Sequence, residues 1–386
     1  MLMQLTRRVS RRNFLRNSAA GAFAGSTTAL QGEFSHILDA IPQSANLPGG
    51  IIRLDRNENP YGPPKGTIEA VRASPDLFNR YPHGEDEALT EKIARLHSVK
   101  HEQVILGAGC RELLRMAAIA YLSHGERLVL ATPSFEVPAE YAKSAGAEVV
   151  TVPLNKDFQH DLDAMLALTT RATRLIYICN PNNPTGSLTP RKDLEAFLEK
   201  LPATAAVLID EAYHHYVMPS SRYASFLDRP VNDPRVIVLR TFSKIYGLAG
   251  MRVGYAVGSR QVALKLSAKR LQWGVSVAAA RAAAAALEDP DFVRLSAMRN
   301  RDDRQEFYNR ENGRMVGSID SHTNFVLMRV GLPSAQVLEH FKKHNILLGP
   351  PVLEMDNYVR VSIGRPEEMQ EFWRVWDLLP AHPMAM

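Results

Sequence analysis

Short apolar runs recur through the middle of this 386-residue chain, and each is followed by a polar stretch and then a helical segment. Strands that alternate with helices in this way pair in parallel and are covered by helices on both faces. The pattern predicts an α/β fold, whose ligands bind at the carboxyl ends of the strands. The predicted strands are residues 104–106, 128–131, 149–152, 175–179, 206–209, 236–239 and 254–257.

A lysine follows the strand predicted at 236–239. Lys244 stands directly after Ser243 and three residues after Thr241, and Arg252 comes eight residues later, beyond a glycine-rich turn. An amine there can form a Schiff base with an aldehyde, while hydroxyls and a guanidinium bind a phosphate. These residues indicate a phosphorylated aldehyde cofactor, pyridoxal 5′-phosphate (PLP). The alternative is a surface lysine in a glycine-rich loop.

Two other strand ends carry side chains that fit the same cofactor. Asp210 follows the run 206–209, and a carboxylate there can pair with a protonated pyridine nitrogen. Tyr213 and Asn183 can each reach the phenolic oxygen of the ring. Asn183 lies in a loop shaped by two prolines and by Gly186. Each residue alone is compatible with a helix cap or a turn, but the three motifs together favour a cofactor site.

These motifs resemble those of the fold-type I PLP-dependent aminotransferases of class I/II, and they occur along the chain in the same order as in that family. Within it, the chain is most similar to the histidinol-phosphate aminotransferase-like branch. The resemblance covers roughly residues 51–375. It implies a large domain with a mostly parallel seven-stranded sheet covered by helices on both faces, plus a smaller α+β domain. It also implies transfer of an amino group between an L-amino acid, or an amino-alcohol phosphate, and a 2-oxo acid. The matching runs are 54–63, 79–82, 107–112, 133–135, 180–186, 210–213, 241–252, 323–325 and 358–364.

The resemblance implies a role for each matching residue. Lys244 is expected to be the Schiff-base lysine and proton carrier, with Asp210 on the pyridinium and Asn183 and Tyr213 on the phenolate oxygen. Arg360 is expected to bind the substrate α-carboxylate, which its planar guanidinium fits. The phosphate is expected to bind the main-chain N–H groups of Ala108, Gly109 and Cys110 and the side chains of Thr241, Ser243 and Arg252. Phe135 is expected to stack on the ring face, and Tyr81 to contact the cofactor from the partner subunit of a homodimer. Asn59 and Tyr61 are expected to lie on the substrate side.

Two positions depart from the family pattern. Cys110 and Arg111 replace the usual Ser or Ala and Asp, a change that leaves the backbone donors in place. Gly349 stands where enzymes acting on histidinol phosphate commonly carry an arginine for the substrate phosphate. Ordinary L-amino acids are therefore expected to be better donors than histidinol phosphate, unless Arg365 reaches the same pocket. The alternatives are a PLP-dependent amino-acid or amino-acid-phosphate decarboxylase or lyase on the same scaffold and, more remotely, a non-catalytic PLP-binding module.

The N-terminal segment resembles a twin-arginine export signal. Residues 10–16 carry paired arginines, and the weakly apolar run 19–25 follows. This run is too short and too rich in glycine to span a membrane, so no stable membrane insertion is expected. The sequence predicts export by the twin-arginine machinery, to the periplasm, after folding in the cytoplasm. The alternative is a basic tail.

The charge and the remaining motifs exclude several other classes of protein. The net charge is +5, and the first 30 residues contain five arginines and no acid. That segment accounts for the whole excess, so no nucleic-acid partner is predicted. Cys110 and Cys179 are predicted to be free core residues. His214 and His215 lack the spacing of metal ligands, so no metal is predicted.

The sequence also predicts the domain organisation. It comprises a signal segment over 1–30, an arm and part of the small domain over 31–75, a large PLP-binding domain over 76–276 and a small domain over 277–386. Thr189 and Pro190 predict the start of a helix that runs to Leu201. The alanine-rich stretch 278–287 is expected to belong to one long helix that leads into the small domain.

Overall fold

The computed structural model describes residues 50–314 and 316–380. The predicted export signal and residues 31–49 of the predicted arm lie outside these residues. Within the described part of the chain, none of the helices combines the length and the apolar character needed to cross a lipid bilayer.

Strands and helices alternate along the described chain. Its strands are β1 (Ile52–Leu54), β2 (Val104–Gly107), β3 (Arg127–Thr132), β4 (Glu148–Pro153), β5 (Thr173–Cys179), β6 (Ala206–Asp210), β7 (Val236–Thr241), β8 (Gly254–Val257), β9 (Gly317–Ser318), β10 (Phe325–Arg329), β11 (Ile346–Leu348) and β12 (Tyr358–Ser362). Its helices are α1 (Lys65–Arg72), α2 (Glu85–Leu96), α3 (Cys110–Tyr121), α4 (Val137–Ser144), α5 (Leu162–Ala167), α6 (Arg191–Lys200), α7 (Arg260–Ser267), α8 (Val277–Ala286), α9 (Pro290–Asn312), α10 (Ser334–Lys343) and α11 (Pro366–Trp376).

One seven-stranded sheet has the order β2-β8-β7-β6-β5-β3-β4. Strand β8 runs antiparallel to β2 and β7, and the other neighbouring strands are parallel. These strands coincide with the seven predicted apolar runs, so the prediction of a mostly parallel α/β sheet is confirmed.

Apolar side chains cover both faces of this sheet. Along β5, Ile176 and Ile178 belong to one buried cluster, whereas Leu175 and Tyr177 belong to another. Successive residues of a strand point to opposite faces, so the two clusters lie on opposite sides of the sheet. All five residues of β6 are buried, which places Asp210 at the end of a fully covered central strand.

Smaller sheets are built from the two ends of the described chain. Strand β1 pairs in parallel with β11, and β12, β10 and β9 form an antiparallel sheet. A separate buried cluster packs on these strands and includes Leu54, Phe307, Phe341, Phe372 and Trp373. The N-terminal strand thus joins C-terminal elements, while the predicted domain boundaries stay predictions.

Two helix predictions need correction. The alanine-rich stretch forms α8 and ends at Ala286, because the Asp289 side chain caps the next helix and Pro290 occupies its first turn. Helix α6 begins at Arg191, one residue after Pro190. The Thr189 hydroxyl does not cap α6; it lies 2.7 Å from Nδ1 of the buried His160.

Candidate active site

Lys244 lies three residues beyond β7, at the carboxyl edge of the large sheet. Its Nζ donates to the carbonyl oxygens of Arg56 at 2.9 Å and Asn57 at 3.1 Å. It also lies 5.5 Å from the centre of the Tyr213 ring. Burial, with the positive charge of Arg360, lowers the pKa of this amine to about 8. A substantial fraction is therefore neutral and nucleophilic near physiological pH.

Asp210 ends β6 and is 3% exposed. Its carboxylate accepts hydrogen bonds from the Tyr177 hydroxyl at 2.9 Å and from the Ala212 N–H at 3.0 Å. Burial nevertheless raises its pKa to about 6. No ion pair to this carboxylate is present among residues 50–314 and 316–380. A buried acid with this environment fits a cationic ring nitrogen, whose charge would offset the desolvation.

Asn183 and Tyr213 approach the same region from neighbouring strand ends. Asn183 accepts a hydrogen bond through Oδ1 from Arg360 Nη1 at 2.7 Å, so its amide nitrogen is the group that remains to donate. Burial raises the pKa of Tyr213, so its hydroxyl stays protonated at neutral pH. That hydroxyl accepts from Asn57 Nδ2 at 3.0 Å. The Asn183 amide N–H and the Tyr213 hydroxyl are thereby both available to donate to the phenolic oxygen of PLP.

A cradle for a phosphate lies between β7 and the start of α3. Arg252 Nη1 donates to Ser243 Oγ at 3.3 Å and to the Ala249 carbonyl at 2.9 Å. The Thr241 hydroxyl accepts from the Ser243 N–H at 3.0 Å. A Cβ on Gly109, whose φ is +73°, would lie 2.2 Å from Arg252 Nη2. The glycine therefore lets the guanidinium approach the N-terminus of α3, where backbone and side-chain donors together fit a phosphate.

Two of the predicted backbone donors have acceptors within the chain, and their contact with a phosphate stays a prediction. The Ala108 N–H donates to Glu112 Oε2 at 2.5 Å, and the Gly109 N–H donates to the Gly107 carbonyl at 2.7 Å. Cys110 and Arg111 are the first two residues of α3, so their N–H groups have no acceptor within the helix. The N–H groups of Cys110 and Arg111 are thus free to bind an anion at the start of α3. Arg111 was not among the predicted donors, and the position of the first helical turn is the signal that points to it.

Arg360 lies on β12 with its guanidinium directed at the same site. Nη1 contacts Asn183, and Nη2 donates to the Asp55 carbonyl at 2.8 Å. Its buried Nε has no hydrogen-bond partner among the described residues. Gly349 donates its N–H to the Arg360 carbonyl at 2.9 Å, and a Cβ there would lie 2.9 Å from Arg360 Nε. Any side chain at position 349 must therefore displace the arginine.

The other predicted substrate contacts differ in position. Asn59 Nδ2 donates to the Ile245 carbonyl at 2.8 Å, which holds Asn59 beside Lys244. The Tyr61 hydroxyl instead donates to Asp303 on α9 at 2.8 Å. The structure thus ties the Tyr61 hydroxyl to α9, and its contact with substrate stays a prediction.

Two predicted aromatic contacts lie nearer the surface. Phe135 is partly buried and packs on one of the apolar clusters of the large sheet. Tyr81 is 69% exposed and stacks on Trp273, with ring centres 4.1 Å apart. Stacking of Phe135 on the cofactor and reach of Tyr81 into a partner subunit stay predictions.

Cys110 and Cys179 are both free thiols.

Fold and side chains together define a fold-type I PLP enzyme, and comparison with known proteins agrees. Residues 50–375 match the family model described as aminotransferase class I and II. The histidinol-phosphate aminotransferase of Bacillus cytotoxicus is 36% identical over 323 residues, 83% of this chain and 86% of that protein. Histidinol-phosphate aminotransferase 1 of Bacillus thuringiensis subsp. konkukian is 37% identical over 322 residues, with the same coverage.

A solved structure carries the cofactor itself. The histidinol-phosphate aminotransferase of Sinorhizobium meliloti, in complex with pyridoxal-5′-phosphate, has a TM-score of 0.79 and 26% identity, covering 93% of this chain and 98% of that one. This chain belongs to the class I and II aminotransferases. It is a PLP-dependent aminotransferase, and the predictions of fold, cofactor and enzyme class are confirmed.

The described side chains match the needs of transamination. When bound, PLP supplies an electron sink that lets the α-carbon of an amino acid lose a proton. Lys244 would take and return that proton at Nζ, a role that the lowered pKa of its buried amine, about 8, favours. Asp210 presents a buried carboxylate that would keep a ring nitrogen protonated, and the planar guanidinium of Arg360 would fit a carboxylate.

Proposed function

We propose that this aminotransferase acts on L-amino acids and 2-oxo acids whose α-carboxylate binds Arg360. The observation that carries the proposal is the contact of Arg360 with both Asn183 and Gly349. The first contact directs the guanidinium to the cofactor side of the site. The second packs Gly349 against Arg360, so that a larger side chain at position 349 would require Arg360 to shift.

Histidinol phosphate is proposed to be a poor substrate, although the two Bacillus relatives are named for it. It has no α-carboxylate for Arg360, and Gly349 offers no charge to its phosphate. A hydrogen bond to a charged group contributes about 1.5–3 kcal/mol. Its absence therefore lowers the preference for histidinol phosphate by roughly tenfold to a hundredfold.

The experiment is a half-reaction screen of the PLP-loaded protein against L-amino acids and histidinol phosphate, followed by kcat/KM for each donor. Formation of a 2-oxo acid supports transamination, whereas release of CO₂ would indicate the decarboxylase alternative. Arg360→Ala is compared in the same assays, and Arg374→Ala is its matched control, since Arg374 is an exposed arginine paired with Glu371 on α11. A kcat/KM for histidinol phosphate above that of every free amino acid would overturn the substrate proposal.

The active form is proposed to be a homodimer in which Tyr81 serves the partner's site. Support comes from exposed large apolar side chains: Tyr81 stacks on Trp273, and Phe78 and Leu271, each near one of these two in sequence, are each 53% exposed. A hybrid of Tyr81→Ala and Lys244→Ala subunits tests it. If Tyr81 acts across the interface, one site of the hybrid is intact and activity returns. If Tyr81 acts within its own chain, both sites stay defective.

Export by the twin-arginine route is proposed for the full chain. Support comes from the paired arginines at 11 and 12, the weakly apolar run that follows, and the need to insert PLP into a folded protein. Fractionation of cells that express the full chain tests this. Changing Arg11 and Arg12 to Lys should retain the protein in the cytoplasm, and unchanged distribution would refute the signal.

A further inference from the structure

Asn57 combines burial with an uncommon backbone conformation. It is 2% exposed, and its φ is +54°, in the left-handed region. Few residues other than glycine adopt this region, and asparagine is among those that tolerate it best. A buried residue held in this conformation at a site is a reason to look for a function. The sequence places Asn57 in a family motif but shows nothing of its contacts.

The hydrogen bonds of Asn57 connect residues of the candidate site. Its Nδ2 donates to the Tyr213 hydroxyl at 3.0 Å. Its carbonyl accepts from Lys244 Nζ at 3.1 Å and from Asn324 Nδ2 at 3.0 Å. Its N–H donates to Ser362 Oγ at 2.8 Å, and that hydroxyl donates back to Asn57 Oδ1 at 3.1 Å. Ser362 thereby fixes the amide so that its nitrogen faces Tyr213.

We propose that Asn57 is a positioning residue for both Tyr213 and Lys244. Because Asn57 Nδ2 donates to the Tyr213 oxygen, the hydroxyl proton of Tyr213 is directed away from Asn57 and is free to bond the phenolic oxygen of PLP. The left-handed backbone turns the Asn57 carbonyl toward Lys244 and holds its amine in the same site. Asn57 thus acts through two other residues.

The test is the affinity of the apoprotein for PLP, measured by equilibrium titration. Asn57→Gly keeps the backbone conformation accessible but removes the amide, and should weaken PLP binding between about twofold and tenfold. Asn345→Gly is the matched control, because Asn345 is an exposed asparagine with a φ of +59°. It should leave PLP affinity unchanged. Thermal unfolding of both variants without PLP reports any general loss of structure.

A double-mutant cycle separates this inference from the proposed role of Tyr213, on which it rests. If Asn57 acts through the hydroxyl, Asn57→Gly should weaken PLP binding much less in a Tyr213→Phe background. Full additivity, or unchanged affinity in Asn57→Gly, would overturn the inference. Unchanged affinity in Tyr213→Phe alone would instead remove Tyr213 from the cofactor site.

A second variant covers the case in which Asn57→Gly does not fold. Ser362→Ala releases Oδ1 and also removes the acceptor of the Asn57 N–H. The Asn57 carbonyl keeps its hydrogen bonds from Lys244 and Asn324. The freed amide should weaken PLP binding by about twofold or more. Unchanged PLP affinity in Ser362→Ala would then contradict the proposal.

Discussion

Replacing Asp210 with asparagine should have opposite effects on stability and on catalysis. The carboxylate is 3% exposed, and it accepts hydrogen bonds from Tyr177 and Ala212. Burial raises its pKa from 3.8 to about 6. In the apoprotein the charge is therefore held at a cost, which the cofactor's cation would offset.

The size of this cost follows from the two pKa values. The folded protein binds the proton more tightly than the unfolded chain, so the cost is absent below about pH 4, grows as the pH rises, and is complete above about pH 6. At about 1.4 kcal/mol for each pKa unit, it amounts to about 3 kcal/mol. Replacing the charge removes this cost, but the asparagine amide has one acceptor oxygen for the two donors, Tyr177 and Ala212. The lost hydrogen bond offsets about 1 kcal/mol of the stability gained. The Asp210→Asn apoprotein should therefore be about 2 kcal/mol more stable at pH 8.

The same change should impair the enzyme once PLP is bound. Breaking a buried charge pair costs about 3–5 kcal/mol, which corresponds to a loss of roughly 10²- to 10⁴-fold in turnover. Urea unfolding at pH 4 and pH 8, with and without PLP, measures the stability effects, and transamination kinetics measure the loss. Asp163→Asn, at an exposed acid on α5, is the control. An apoprotein no more stable than the unchanged one at pH 8, or turnover within tenfold of normal, would refute the reasoning.

Further predictions concern the neighbouring residues. Lys244→Met removes an amine whose pKa burial lowers to about 8. In urea unfolding, the variant apoprotein should therefore be more stable than the unchanged one at pH 7, and the difference should disappear above about pH 10.5. A stability difference that does not depend on pH would contradict this. Arg360→Ala should raise KM for every α-amino acid by about a hundredfold in steady-state assays, and selective loss of one donor would contradict a shared carboxylate contact. Gly349→Ala places a Cβ 2.9 Å from Arg360 Nε; it should raise KM for amino acids with little change in melting temperature, and an unchanged KM would show that the arginine has room to move.

The large sheet was predictable because its strands are buried on both faces. The sequence of such a strand is an almost continuous apolar run, as in β6. The polar residues of the candidate site follow at the carboxyl ends of these strands. Lys244 and Asp210 could be predicted as cofactor residues for this reason, and their roles stay predictions. The break between α8 and α9 was missed because the alanine run outweighed the cap at Asp289 and the proline after it.

Contacts distant in sequence were not predictable from local patterns. Asn57 and Ser362 are 305 residues apart, yet they fix each other's hydrogen bonds. Tyr61 matched a family position, but its partner Asp303 lies on a helix far along the chain. The sequence predicts the Cys110 N–H as a phosphate donor, but whether the Arg111 N–H is also free depends on where α3 begins, and helix ends are poorly defined by sequence.

Borohydride reduction of the PLP-loaded protein, followed by mass analysis of its peptides, tests the central claim most directly. The chemistry assigned to Lys244 predicts that the reduced cofactor is attached to Lys244, and that prior incubation with a reactive amino donor prevents the attachment. Attachment to a different lysine, or attachment that no amino donor prevents, would contradict the assignment of Lys244 as the catalytic amine of this aminotransferase.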